Sequence, residues 1–166
     1  MSEQLRSILL GLSGLYLALI ISFFLTVYKS PVQMEKGQRD NLINFFLLGI
    51  SVQCFHFIEE YITGFYVRFP KFLGLSPWPA GFFVSFNLFW IAVWTASVIG
   101  IRRNYRAAYF PLWFFITGMI LNLIAHPLLA LANKGYFPGL FTSPLAGIMG
   151  IILLNKMIIT ETREKV

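Results

Sequence analysis

The chain has few charged residues. Asp, Glu, Lys and Arg together make up only 12% of its 166 residues, against about 25% in soluble domains. Apolar residues make up 57%. This balance excludes a disordered chain, a basic nucleic-acid-binding domain and an ordinary cytosolic enzyme. It predicts an all-α fold, a polytopic membrane helical bundle that is embedded in the lipid bilayer as its partner.

Cysteine and acidic residues are scarcer still. The one cysteine, Cys54, cannot form an intramolecular disulfide and gives no sign of a redox compartment. Seven Asp and Glu stand against 13 Lys and Arg, a net charge of +6. Because the positive charges are spread over short connecting segments, they indicate membrane topology and no nucleic-acid partner.

Long apolar runs are what the chain does contain. A helix needs about 20 mostly apolar residues to cross the hydrocarbon core. Five runs satisfy this, and we expect a single transmembrane domain over residues 1–166 with five transmembrane helices. The segment 63–78 is aromatic with only two charges, which is typical of the membrane interface. The predicted helices are about 8–27, 41–61, 79–99, 109–132 and 138–158.

The positive charges predict the orientation of these helices. Counted on alternate sides of the five spans, four Lys and Arg lie on one side and nine on the other. The side richer in Lys and Arg is cytoplasmic. The N-terminus is therefore expected outside and the C-terminus in the cytoplasm.

Four ionisable residues fall inside the predicted spans. Glu59 and Glu60 lie in the second span, whereas the other five acids lie in tails or connections; both histidines, His56 and His126, also lie in spans. A charge in the hydrocarbon region costs at least about 2.5–3.5 kcal/mol, so such residues are functional candidates. At about 100° per residue, His56, Glu59 and Glu60 share one helix face.

The depth of the polar residues predicts a single site. Asn122 and His126 share a face of the fourth span at i and i+4. A rise of 1.5 Å per residue places His56 and His126 both roughly 8–9 Å below the outer surface. Asn87 of the third span is expected in the same layer. Pro127 predicts a local break in the fourth helix, of the kind tolerated where a helix lines a cavity.

These residue types point to a divalent metal, with zinc as the leading candidate. Catalytic zinc sites use three protein ligands and one open position. His56, His126 and one of the two glutamates supply three ligands; Glu60 is our choice for the metal, and the sequence leaves Glu59 open for the same role. The other carboxylate then serves as general base, so both glutamates are catalytic candidates. Asn122 and Asn87 would orient a ligand or polarise a substrate carbonyl.

Structural roles compete with each of these assignments. The two glutamates also suit the headgroup region, where a carboxylate costs little. His126 and Asn87 also suit hydrogen bonds between helices. The spacing H-x-x-E-E differs from the H-E-x-x-H signature of soluble zinc proteases, so the second histidine has to come from another helix.

The motifs HFIEE and NLIAH resemble those of the HXXEE-motif family. This is a family of small, mostly bacterial integral membrane proteins of uncharacterised function, and the similarity runs from about Leu42 to Ile158. It implies a multi-pass protein of the bacterial inner membrane. It also implies that the matched polar residues form a shared set, but it supplies no reaction. The matched residues are His56, Glu59, Glu60, Asn122 and His126.

Three functions remain open at this point. The first is an intramembrane metal-dependent hydrolase that acts on a lipid or lipid-linked substrate near the outer leaflet. The second is a metal-free five-helix membrane isomerase that transfers protons through His and Glu; the chain looks like such enzymes only in helix count and residue types. The third is a non-enzymatic lipid-binding or proton-coupled transport protein. A homo-oligomer is compatible with each.

Overall fold

The computed structural model describes residues 2–31 and 34–164. Over these residues, all regular secondary structure is helical. Within these ranges the chain has seven α-helices, one 3₁₀ turn at Arg106–Ala108 and no strand. The expected all-α class is confirmed. The α-helices are α1 (Glu3–Gly11), α2 (Ser13–Lys29), α3 (Lys36–Ile62), α4 (Phe65–Phe72), α5 (Ala80–Arg102), α6 (Tyr109–Ala132) and α7 (Ser143–Glu164).

Three to four of these helical segments are able to cross a membrane. Among the described residues, α3, α5 and α6 with its preceding turn are long and apolar enough, and α1 and α2 add a fourth span if the bent pair counts as one. The apolar part of α7, Ser143–Ile158, is shorter. The chain is therefore a membrane protein with three to four candidate spans.

The region of the first predicted span, 8–27, is divided between two helices, α1 and α2. α1 and α2 meet at Leu12 with a bend of 46°. The indole of Trp78 lies against Gly11 so closely that a Cβ there would come within 2.3 Å of Trp78 Cζ2. Trp78 also packs against the stacked rings of Phe65 and Phe69 in α4. The aromatic segment 63–78 is thus partly helical and packs against the bend.

α6 is the central helix of the bundle. It packs against α2, α5 and α7, and α3 packs against α5 and α7. Gly49 allows close approach here, since a Cβ on it would lie 3.0 Å from the Phe115 ring. α6 continues through Pro127 where the sequence suggests a break. Helix-breaking residues are tolerated in such bundles because neighbouring helices support the backbone.

The connection between α6 and α7 is longer than the sequence suggests. α7 begins at Ser143, five residues after the expected start at Pro138. Residues 136–142 instead lie across the ends of α3 and α6 and make the hydrogen bonds described below. This segment and the end of α3 bring the polar residues together.

Candidate metal centre

The two histidines of the chain are in direct contact. The rings of His56 in α3 and His126 in α6 have centroids 4.8 Å apart and cross at 87°. Both side chains are buried, with exposed fractions of 0% and 2%. The structure therefore brings together two histidines that are 70 positions apart in the sequence.

Glu60 lies against both imidazoles. Its Oε1 is 3.6 Å from His56 Nε2 and 3.5 Å from His126 Nε2. One candidate ligand atom from each of the three residues lies within 4.8 Å of the other two. Zinc bonds of about 2.0–2.2 Å in tetrahedral geometry put ligand atoms about 3.3 Å apart. Small side-chain adjustments are enough to reach that spacing.

The other nitrogen of each ring is fixed by a hydrogen bond. His126 Nδ1 lies 2.7 Å from the carbonyl oxygen of Pro138, which can only accept, so Nδ1 carries the hydrogen. His56 Nδ1 lies 2.7 Å from Thr142 Oγ1, and that hydroxyl donates to Glu59 Oε2 at 2.5 Å. The hydroxyl has one hydrogen to give, so it accepts from His56.

Both rings therefore present an Nε2 lone pair toward Glu60. In the described part of the chain, His56 Nε2 is buried and has no hydrogen-bond partner. Metal-binding histidines typically donate their second N–H to a carbonyl or a carboxylate-linked group, which sets the tautomer and the ring orientation. His56 and His126 have this arrangement.

Glu59 lies outside the histidine group, although it is next to Glu60 in sequence. Its carboxylate accepts hydrogen bonds from the Tyr136 hydroxyl, the Phe141 N–H, the Thr142 N–H and the Thr142 hydroxyl, at 2.5–3.1 Å. Four donors on two oxygens require the ionised form, because a protonated oxygen would itself have to donate. Glu59 thus holds residues 136–142 in place and reaches His56 only through Thr142.

Gly139 brings the backbone of this segment onto both rings. Its φ is +86°, and a Cβ at this position would lie 2.4 Å from His126 Cε1 and 2.9 Å from His56 Cε1. Only glycine fits so close a contact in this left-handed conformation. Sequence reasoning missed Gly139 and Thr142. The available signals were the Pro138–Gly139 dipeptide, which marks a turn, and Thr142 directly before a helix start.

A second set of contacts holds the outer side of the segment. Arg68 Nη2 donates to the carbonyl oxygen of Tyr136 at 3.0 Å, and its guanidinium lies 5.7 Å from the centre of the Phe137 ring. Burial, followed by the neighbouring Glu59 carboxylate, raises the pKa of Tyr136. The phenol is therefore protonated at neutral pH and remains a donor to Glu59.

A cavity of about 380 Å³ reaches this centre from inside the bundle. Glu60 and His126 line one part of it, and the rest is lined mainly by apolar residues of α2, α4, α5 and α6, many of them aromatic. Asn87 and Asn122, both singled out from the sequence, lie on its wall. Asn87 Nδ2 donates to the carbonyl oxygen of Phe83 at 3.0 Å. Both residues therefore line the cavity, and this hydrogen bond ties the Asn87 amide to its own helix.

The arrangement is able to hold a divalent metal through two imidazole nitrogens and one carboxylate oxygen. Such a mixed set suits zinc, and it also suits other transition metals that bind imidazole. The three residues are His56, Glu60 and His126, which are all buried.

Comparison with known proteins identifies the family of the chain. The family described as proteins of unknown function with an HXXEE motif matches residues 47–154, which is more than half of the chain and contains every residue of the histidine group. Neither the curated proteins nor the solved structures contain a match. The resemblance seen in HFIEE and NLIAH is thereby confirmed, and the chain belongs to the HXXEE-motif family.

Proposed function

We propose that the protein is an intramembrane metal-dependent hydrolase that acts on a lipid or lipid-linked substrate. The observation that supports this most is the convergence of three candidate ligand atoms. The Nε2 atoms of His56 and His126 both face Glu60 Oε1, and each ring is held in that orientation by its Nδ1–H. Zinc is the proposed metal because two nitrogens and one oxygen match the ligands of hydrolytic zinc sites.

A bound metal would supply a Lewis acid that polarises the carbonyl of an ester or amide. The protein's own residues do the rest. Asn87 and Asn122 on the cavity wall would hold the substrate carbonyl or its neighbouring polar atoms. Buried surroundings exclude bulk water and strengthen these polar contacts. The apolar wall of the cavity accepts the hydrocarbon part of a lipid.

In this proposal Glu59 is not the general base that the sequence suggests. Its four hydrogen bonds go to residues 136–142, and Thr142 links it to His56. We therefore assign Glu59 as a positioning residue that orients the His56 ring, in the manner of carboxylates that support metal-bound histidines.

Metal content tests the centre directly. We expect about one zinc ion per chain in the purified protein, measured by inductively coupled plasma mass spectrometry. The double variant His56→Ala with His126→Ala should lose it. Cys54→Ala is the matched control, because Cys54 lies on the same helix and is not part of the group. Equal metal content in all three proteins would contradict the proposal.

The reaction is tested with membrane lipids that carry ester or amide linkages. Release of a fatty acid, abolished by a chelator and restored by Zn²⁺, would support the hydrolase. One observation favours an alternative: the carboxylate of Glu60 between two imidazoles also suits proton transfer without a metal. An isomerase of that kind would survive chelation and give a product of unchanged mass with a shifted double bond.

For the topology we propose five spans with the N-terminus outside and the histidine group near the outer leaflet of a bacterial inner membrane. Support comes from the division of Lys and Arg into four and nine. The apolar part of α7, Ser143–Ile158, is about 24 Å long, which is shorter than the roughly 30 Å core; a bilayer accommodates such a short span by local thinning.

Cysteine labelling tests this topology. In a Cys54→Ser background, a membrane-impermeant maleimide should label Gln4→Cys in intact spheroplasts and Thr162→Cys only after lysis. Labelling of both positions from the same side would refute the five-span arrangement.

A further inference from the structure

Three residues that line the cavity carry a buried polar atom without a hydrogen-bond partner among the described residues: Gln53, Trp78 and Trp94. Trp78 precedes α5 and packs against Gly11, whereas Gln53 and Trp94 lie within α3 and α5. Gln53 Oε1 in α3 and Trp94 Nε1 in α5 have no hydrogen bond to any described residue. Both side chains line the cavity, and each is only 6% exposed. One is an acceptor and the other a donor. Buried polar groups are normally hydrogen-bonded, so each orphan needs an explanation.

Each of these two atoms lies about two helical turns from another polar residue that lines the cavity on the same helix, Glu60 on α3 and Asn87 on α5. Gln53 precedes Glu60 by seven residues on α3, which is about 10.5 Å along the helix at 1.5 Å per residue. Trp94 follows Asn87 by seven residues on α5, so it is farther from the N-terminal end of that helix by about the same distance. Apolar side chains such as Phe86 and Met119 also line the cavity.

We propose that the cavity binds an elongated amphiphile with a polar group at each end, and that Gln53 and Trp94 recognise one of its polar groups. A hydroxyl suits either atom, since it can donate to Gln53 Oε1 or accept from Trp94 Nε1. A simple alkyl chain would leave both atoms unpaired. The inference rests on the proposed function only in placing the other polar group beside Glu60.

The separation of Gln53 and Glu60 along α3 sets the length of the ligand. An extended chain advances about 1.2 Å per bond, as in a peptide that spans about 3.3–3.6 Å per three-bond residue. A distance of about 10.5 Å therefore corresponds to roughly nine bonds. A ten-carbon chain with a hydroxyl at each end has eleven bonds between its oxygens, about 13 Å, and therefore spans this distance. The whole lined stretch of α5, Phe82 to Trp94, is about 18 Å long, close to one leaflet of the roughly 30 Å core.

A pair of neutral probes tests the inference. Binding of 1,10-decanediol and 1-decanol to chelator-treated protein in detergent micelles is measured by calorimetry. A net hydrogen bond corresponds to about a fivefold change in affinity. The affinity ratio of diol to decanol is expected to be about five- to tenfold higher in the wild type than in Gln53→Leu or Trp94→Phe. Comparing ratios removes the different partitioning of the two probes into micelles.

Trp113→Phe is the matched control. Trp113 is equally buried, but its Nε1 donates to Ser30 Oγ at 3.1 Å, and it does not line the cavity. This variant should keep the wild-type ratio. Because the protein is stripped of metal, a failed zinc site would leave the result unchanged, so the two proposals fail separately. A wild-type ratio that both cavity variants retain would overturn the inference and indicate that only water meets these atoms.

Protein stability gives a second, independent readout. If Gln53 is kept for a ligand, replacing it with Leu removes an unpaired buried group and should raise the unfolding midpoint of the ligand-free protein. Excess 1,10-decanediol should then raise the midpoint of the wild type and leave that of Gln53→Leu nearly unchanged. A lowered midpoint for ligand-free Gln53→Leu would mean that Gln53 supports the fold, and would overturn the inference.

Discussion

Replacing Gly139 with alanine tests whether residues 136–142 shape the metal centre. The new Cβ would lie 2.4 Å from His126 Cε1, 2.6 Å from His126 Nδ1 and 2.9 Å from His56 Cε1. Contacts under 3.0 Å force the rings or the backbone to move. The φ of +86° at this position adds left-handed strain of about 1–2 kcal/mol, and overpacking adds typically 1–3 kcal/mol.

The variant is therefore expected to lower the free energy of unfolding by about 2–5 kcal/mol. Displacing either ring also disturbs an Nδ1 hydrogen bond, and the loss of such support typically weakens metal binding by about 10–100-fold. The measurements are unfolding in mixed micelles by titration with sodium dodecyl sulfate, and competition for Zn²⁺ with a chromophoric chelator.

Gly64→Ala separates the two causes. Gly64 also has a positive φ, +76°, but a Cβ there meets nothing within 4 Å. In this control, the left-handed strain alone should lower the free energy of unfolding by about 1–2 kcal/mol. Its zinc affinity should stay unchanged. If Gly139→Ala matched Gly64→Ala in both stability and zinc affinity, the close packing of the segment on the rings would be refuted.

Three further predictions concern the support of the centre and the packing of its helices. Glu59→Gln should weaken zinc binding by about 10–100-fold; an unchanged chelator competition would remove Glu59 from its positioning role. Thr142→Val should lose a similar factor and Thr142→Ser should recover it, because only the serine keeps the bridging hydroxyl; equal zinc affinities of the two variants would argue against the bridge. Gly147→Ala places a Cβ 2.4 Å from Leu123 Cβ and should destabilise the protein by about 1–3 kcal/mol in micelle unfolding, whereas Gly118→Ala, with nothing within 4 Å, should not.

The meeting of His56 and His126 was predictable because helix geometry is regular. Both residues lie a similar number of positions from the ends of apolar runs that point in the same direction. A fixed rise of 1.5 Å per residue then turns sequence position into depth. Tertiary detail has little influence on such an estimate, so the two rings could be placed at one level from the sequence alone.

The division of labour between Glu59 and Glu60 could not be predicted in this way. The two lie about 100° apart on α3, on either side of His56, and the motif is nearly symmetric in that respect. Which side faces His126 depends on where α6 and the α6–α7 connection pack. Glu60 faces His126, whereas Glu59 faces Tyr136 and Thr142.

The position of the α6–α7 connection could not be predicted from the sequence for a related reason. The Pro138–Gly139 dipeptide signals a turn, but its position over the imidazoles depends on Glu59, about 80 residues earlier in the chain. Likewise, the bend at Leu12 depends on Trp78, which packs against Gly11. Local patterns report helix and turn, whereas these features come from contacts between distant segments.

The placement of Gly139 also has a consequence for how fast a metal would exchange. The backbone of residues 136–142 covers the imidazoles at the ends of α3 and α6, and the cavity on the other side opens among apolar side chains that a hydrated cation does not enter. An ion that reached His56 and His126 from water would therefore require the segment to open, which breaks the hydrogen bonds to Glu59. Metal exchange would then be governed by the opening rate of the segment, and Glu59 would set the residence time of an ion that it does not contact.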